Sequence, residues 1–155
     1  MSLFKLKDWW STTLGHREQF SGGGLAAGII DNSGKPRIVS GSLQGWLRVH
    51  NPLMPNRTED STKSLLLEVR LDAPIYQLKV GRAHAIAVLH PSKLRVCTCS
   101  ARTNQGSSIE TSHLELTKQY IHDFEVKNSG THAFSMCVGC IGGSAERHMI
   151  LAQHM

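Results

Sequence analysis

The sequence predicts an all-β fold assembled from repeated units. A short pattern occurs twice: residues 37–49 read RIVSGSLQGWLRV, and residues 86–96 read IAVLHPSKLRV. Each is an apolar strand, a tight polar turn and a second strand ending in Leu-Arg-Val, and the two triplets start 47 residues apart, at Leu47 and Leu94. Repeats of about 40–50 residues made of short strands are typical of β-propeller blades, which usually present binding surfaces and carry no chemistry of their own.

Length and composition fit one soluble globular domain. The chain has 155 residues, of which 40% are hydrophobic and 19% are charged. No apolar run approaches the roughly 18–20 residues that cross a bilayer. The N-terminus, MSLFKLKDWWS, is too charged for a secretory signal, so we expect the chain in the cytosol or nucleus.

The first predicted blade covers residues 25–71. Its turn DNSGKP is rich in residues that bond locally or fix φ, with Gly34 supplying a positive φ, and its hairpin turns around Gln44-Gly45. The preceding SGGG segment lacks the Lys-Ser/Thr of a phosphate-binding loop, so it predicts a flexible break and a plain turn. The predicted strands are residues 25–30, 37–43, 46–50 and 64–71.

The second predicted blade covers residues 75–126, and residues 133–155 begin a third. The segment 75–82 alternates strictly, which indicates a strand with one buried face. The segment 114–126 predicts a long strand, although a helix is also compatible with its apolar spacing. The other predicted strands are residues 85–90, 94–99, 133–142 and 148–155.

At about 45 residues per blade the chain supplies barely three blades, whereas closed propellers have four to eight. The chain also stops inside an apolar strand. We therefore expect a partial propeller, either a fragment of a longer protein or a sheet that another chain completes, because an open arc leaves strand edges unpaired.

The four cysteines are the best candidates for chemistry. Cys97 and Cys99, together with Cys137 and Cys140, could hold a tetrahedral zinc. Residues 97 and 99 share one face of a strand, but 137 and 140 point to opposite faces of a regular strand. The spacing thus favours buried reduced thiols over a zinc site.

The nine histidines are dispersed and form no metal-binding or catalytic motif. His50 and His90 stand at strand ends beside turns, where we expect exposed side chains. No G-x-S-x-G elbow is present, and the acidic residues fall in turns and loops. We therefore predict a protein that is not an enzyme, with no catalytic residue, no metal ligand and no cofactor.

The net charge of +5 favours acidic partners only weakly. No acid separates Asp72 from Glu110, and the basic residues of this stretch, which we call the 79–102 basic stretch, are Lys79, Arg82, Lys93, Arg95 and Arg102. It is either an ordinary solvated face or a patch for anionic lipid or an acidic partner. Nucleic acid is not expected, because aromatic residues do not interleave with these charges.

Several strings in order along the chain resemble one known family. They are MSLFKLKDWWS, DNSGKPRIVSGSLQGWLRVHNP, LLLEVRLDAPIYQLKVG, AVLHPSKLRV and the final segment from CIGG to MILAQHM. The sequence resembles the N-terminal domain of the family of Bardet–Biedl syndrome protein nine, also called parathyroid hormone-responsive protein B-one. The resemblance covers nearly the whole chain, Met1 to Met155.

The resemblance implies a seven-bladed N-terminal propeller, of which this chain holds the first two to three blades. It also implies a scaffold subunit of the BBSome, a coat-like complex that carries membrane proteins to and from cilia and supports cilium assembly. The implied partners are the other BBSome subunits and, indirectly, an Arf-like GTPase and ciliary membrane-protein cargo. The implied locations are the cytoplasm, the cilium, the ciliary base with its basal body and centriolar satellites, and the periphery of the ciliary membrane. An autonomous binding module that uses the 79–102 basic stretch is the alternative.

Overall fold

The computed structural model describes residues 10, 12–52, 64–81, 84–101, 113–124, 132–140 and 147–154. This part of the chain forms ten β-strands: β1 Leu25–Gly28, β2 Arg37–Gly41, β3 Trp46–His50, β4 Leu65–Arg70, β5 Gln77–Val80, β6 Ala85–Leu89, β7 Lys93–Ala101, β8 Leu114–Asp123, β9 His132–Cys140 and β10 Arg147–His154. These residues contain no helix that could span a membrane.

The strands form consecutive antiparallel sheets. Sheet 1 has the order β1-β2-β3-β4, sheet 2 has the order β5-β6-β7-β8, and β9 pairs with β10 in sheet 3. The prediction of an all-β fold is confirmed, and two four-stranded meanders in succession are the arrangement of a partial propeller. Within 114–126 the structure has strand β8, so the helical alternative is wrong.

The repeated Leu-Arg-Val triplets occupy equivalent places. Leu47 lies in β3 and Leu94 in β7, the third strand of each sheet. In the hairpins, Leu47 pairs with Gly41 of β2, and Leu94 pairs with Leu89 of β6. The sequence repeat is therefore a structural repeat.

Sheet 2 lies between two apolar clusters. The first cluster joins sheets 1 and 2 and contains Val39, Leu47, Val49, Leu78, Ile86, Val88, Cys97 and Cys99, together with Ile30 and Ile75 from the connecting segments. The second cluster joins Ala87, Leu89 and Leu94 of sheet 2 to Met136 of β9. Residues 87 and 94 therefore face sheet 3, while residues 86 and 97 face sheet 1, as alternation along a strand requires.

The turn between β1 and β2 is held by a buried ion pair. Gly34 has φ of +69° in this turn, and Asp31 accepts a hydrogen bond from the Ser33 amide at 2.9 Å. Arg37 Nε donates to Asp31 Oδ2 at 3.0 Å, and both side chains are 6% exposed. Burial opposes ionisation of Asp31, but its hydrogen bonds from Ser33 and Arg37 outweigh burial and lower its pKa.

Candidate interaction surfaces

Residues 71–76, which we call the joint, connect sheet 1 to sheet 2. On the side of sheet 1, the Leu71 amide donates to Gly45 O at 2.8 Å and the Ile75 amide donates to Ser42 O at 3.0 Å. Gly45 has φ of +88°, which favours glycine, and a Cβ there would lie 2.7 Å from Leu71 O. Backbone hydrogen bonds therefore attach the joint to the β2–β3 turn.

On the side of sheet 2, the joint is held by charge. Asp72 Oδ1 accepts from Arg95 Nη2 at 2.6 Å, and its other oxygen pairs with Lys93 Nζ. Arg95 is largely buried and also donates to Gln119 of β8. The hydrogen bond from Lys93 is the main cause of a lowered pKa of Asp72. This carboxylate therefore remains ionised and bridges the joint to β7.

His90 completes the attachment. Its side chain is fully buried, and Nδ1 lies 2.8 Å from the Pro74 carbonyl. A carbonyl can only accept, so this contact places the proton on Nδ1. Burial, reinforced by Arg95 and Lys93, lowers the pKa of His90, which is therefore neutral at pH 7. Expecting an exposed side chain at this strand end is wrong, because the joint folds over it.

The opposite face of sheet 1 also carries a buried arginine. Arg48 lies between Leu47 and Val49 of the first cluster, so its side chain projects from the other face. Its guanidinium donates to Glu18 at 2.7 Å through both Nη atoms, and to Glu68 at 2.6 Å through Nε. The hydrogen bond from Arg48 is the main cause of a lowered pKa of Glu18.

Two rings flank this ion pair. The Arg48 guanidinium carbon lies 5.3 Å from the centre of the Trp46 ring, and that of Arg70 lies 5.9 Å from it. His50 is buried and its ring centre lies 5.6 Å from that of Trp10. Burial is the main cause of a lowered pKa of His50. The prediction that this side chain is exposed is wrong. The chain before β1 covers it.

The SGGG segment is a close contact between the sheets. Gly23 forms a parallel bridge with Gln77, and its carbonyl accepts from the Leu78 amide at 2.9 Å. A Cβ on Gly23 would lie 2.8 Å from Gln77 Cγ, so a side chain would push this segment away from β5. The predicted turn is present, but Gly23 and Gly24 also allow close approach of two backbones.

A groove of about 380 Å³ opens beside this contact. Its lining is uncharged and contains Ser21, Gly22, Gly23, Leu43, Tyr76 and Gln77. Apolar side chains are exposed elsewhere on sheet edges, notably Leu25 at 67% on β1 and Tyr120 at 64% on β8. These edge positions offer contact area rather than reactive groups.

The structure separates the described cysteines. Cys97 and Cys99 are buried in the first cluster, and burial raises the pKa of Cys97 to about 11 and of Cys99 to about 12. Cys137 is exposed on β9, so the expectation of a buried thiol is wrong there. The side chain of Cys140 lies outside the described residues. Among the described residues no group of three or more His, Cys, Asp or Glu side chains has metal-binding geometry.

The described members of the 79–102 basic stretch do not form one cationic surface. Lys93 and Arg95 are both engaged by Asp72, with side chains 15% and 9% exposed. Lys79 is exposed. The other two members, Arg82 and Arg102, lie outside the described residues. The geometry of the three described members therefore gives the lipid-binding alternative no support.

Sequence reasoning missed the roles of Arg48 and Arg95. Both were visible as the middle residue of the repeated triplet, and a charged residue between two apolar ones on a strand reads as exposed. Their recurrence at one place in the repeat was the usable signal. Each arginine forms an ion pair with an acidic residue from the segment that precedes its own sheet. Arg48 pairs with Glu18 before sheet 1, and Arg95 pairs with Asp72 before sheet 2.

Comparison with known proteins assigns the chain to one family. The family profile described as PTHB1 N-terminal matches residues 1–155. Protein PTHB1 of Homo sapiens is 36% identical over 165 residues, Protein PTHB1 of Xenopus laevis is also 36% identical, and Protein PTHB1 of Mus musculus is 34% identical over 164 residues. Each alignment covers 100% of this chain and 18% of the relative, so the chain spans about a fifth of the length of these relatives. The chain belongs to the PTHB1 family and matches its N-terminal region.

Proposed function

We propose that this chain is a non-enzymatic scaffold segment of the BBSome, which moves membrane proteins to and from cilia and supports cilium assembly. The observation that carries the proposal is the match of all 155 residues to the PTHB1 N-terminal region. Consecutive sheets with apolar clusters packed between them suit a rigid platform for other subunits.

The scaffold works through partners. Other BBSome subunits bind it directly, whereas an Arf-like GTPase and the membrane-protein cargo are reached through the assembled complex. Membrane association is peripheral and also belongs to the complex. The proposed locations are accordingly the cytoplasm, the ciliary base and the ciliary membrane.

Co-purification of the tagged full-length protein from ciliated cells tests the proposal. Leu47→Asp places a charge in the first cluster, where Leu47 is fully buried, and should abolish recovery of the other subunits. Lys35→Asp changes the exposed β1–β2 turn and should leave recovery intact. Recovery of the unmodified protein as a lone monomer would contradict the proposal.

A further inference from the structure

The joint is attached to sheet 1 by backbone hydrogen bonds, and to sheet 2 by one backbone hydrogen bond together with side-chain contacts. Backbone hydrogen bonds from Leu71 and Ile75 fix it to the β2–β3 turn, and Ile75 is fully buried in the first cluster. The Tyr76 amide donates to Leu89 O at 2.8 Å, where sheet 2 begins. Between these two anchored ends, Asp72 is the position at which a side chain ties the joint to the third strand of sheet 2.

Asp72 ties the joint to β7 through two ion pairs, an arrangement that we call a brace. One carboxylate oxygen meets Arg95 and the other meets Lys93, two residues on the same strand. Contact at two points fixes the direction of the carboxylate as well as its distance from β7. Arg95 in turn holds Gln119 of β8, so the brace extends to the outer strand of sheet 2.

The same construction occurs at sheet 1. Arg48 occupies the equivalent place in β3 and binds Glu18 of the preceding segment through two hydrogen bonds of 2.7 Å. Its Nε binds Glu68 of β4, the outer strand of sheet 1, as Arg95 reaches Gln119 of β8. Two occurrences at equivalent positions indicate a device of the repeat rather than a chance surface pair.

We propose that Asp72 is a positioning residue that sets the angle between sheet 1 and sheet 2, with Arg95 and Lys93 as the groups through which it acts. The Asp72 side chain is 60% exposed, so its ion pairs contribute little to the free energy of unfolding. Their directional contacts instead select one orientation of sheet 2 among those that the apolar cluster permits.

A distance measurement between spin labels tests this role directly. Labels at Lys35→Cys and Lys118→Cys lie on the exposed β1–β2 turn and on β8, one on each sheet. The background carries Cys137→Ser and Cys140→Ser, while Cys97 and Cys99 are buried and do not take the label. Asp72→Asn removes the charge with little change in shape. We expect it to shift the mean distance by a few ångström and to broaden the distance distribution.

Asp123→Asn is the matched control, because Asp123 is exposed and lies opposite Lys93 in the β7–β8 register. It removes the same charge and should leave the distance unchanged. Raising the salt from about 0.05 M to about 1 M screens exposed charges, so it should move the unmodified chain toward the Asp72→Asn distribution and leave that variant unaltered.

Identical distances in Asp72→Asn and the unmodified chain at both salt concentrations would overturn the proposal, even with a lower melting temperature. An equal shift in Asp123→Asn would also overturn it, because the effect would then follow net charge. The salt series on the unmodified chain needs no substitution at Asp72 and remains decisive if that variant does not fold.

Discussion

Sheet 1 and sheet 2 share one strand order but differ in what covers them. Sheet 2 has an apolar cluster on each face, shared with sheet 1 on one side and with Met136 of β9 on the other. Sheet 1 has an apolar cluster on one face, whereas the other carries Arg48 with Glu18 and Glu68. The same kind of β-meander can thus be stabilised by apolar packing or by buried ion pairs. The apolar faces and the face that carries Arg48 should respond differently to mutation and pH.

The largest difference in the free energy of unfolding is expected between alanine variants of the two equivalent arginines, Arg48 and Arg95. Arg48→Ala leaves Glu18, whose side chain is 8% exposed, as a buried charge without its partner. We expect a loss of about 3–5 kcal/mol in the free energy of unfolding. Arg95→Ala leaves Asp72 paired with Lys93, and this carboxylate is 60% exposed and can be hydrated, so the loss from the broken ion pair should be at most about 1 kcal/mol. Chemical denaturation of both variants measures the comparison, and equal losses would contradict it.

The two equivalent leucines sharpen the same comparison on the apolar side. Leu47 is fully buried in the larger cluster, so Leu47→Ala should cost about 3–4 kcal/mol. Leu94 is 7% exposed in the smaller cluster with Met136, and Leu94→Ala should cost about 2 kcal/mol. Denaturant unfolding of the two variants should preserve this order, and a reversed order would show that the second cluster contributes more to stability than the first.

Acid should weaken both sheets through histidine before it reaches the carboxylates. The pKa of His50 and of His90 is lowered from the ordinary 6.5, so the stabilisation is complete above pH 6.5 and declines as the pH falls below it. The lowered pKa of Glu18 matters only below its ordinary 4.5. We expect the melting temperature to fall between pH 7 and pH 5.

Substitution of His50 tests whether the pH dependence comes from this histidine of sheet 1. His50→Gln should flatten the pH dependence of the melting temperature, because the group that loses its favoured neutral form is gone. His113→Gln is the control, since His113 is exposed. A slope that is the same in His50→Gln and in the control would exclude His50 as the source.

The smallest effect concerns thiol reactivity and leaves the fold intact. Cys137 is exposed and should be alkylated by iodoacetamide at pH 8 in the native chain. Cys97 and Cys99 are buried and, with pKa values of about 11 and about 12, should react only after unfolding. Peptide mass spectrometry with and without denaturant distinguishes the sites, and native labelling of Cys97 would mean that the first cluster opens.

The strands were predictable because their signals are local. Alternation over 77–80 and the turns at Gly34 and Gly45 are written in neighbouring residues. The braces were not predictable, because their partners lie far apart: Arg48 is 30 residues from Glu18, and Arg95 is 23 residues from Asp72. Burial of His90 was hidden for the same reason, since Pro74 covers it from 16 residues away.

The first apolar cluster has a consequence for folding. Its side chains come from both four-stranded meanders and from the segments between them, so the two meanders share this hydrophobic core. A truncation after residue 71 would strip sheet 1 of the surface against which Leu47 and Val49 pack. The pair should therefore melt as a single cooperative unit in hydrogen exchange, with β9 and β10 free to open at lower cost.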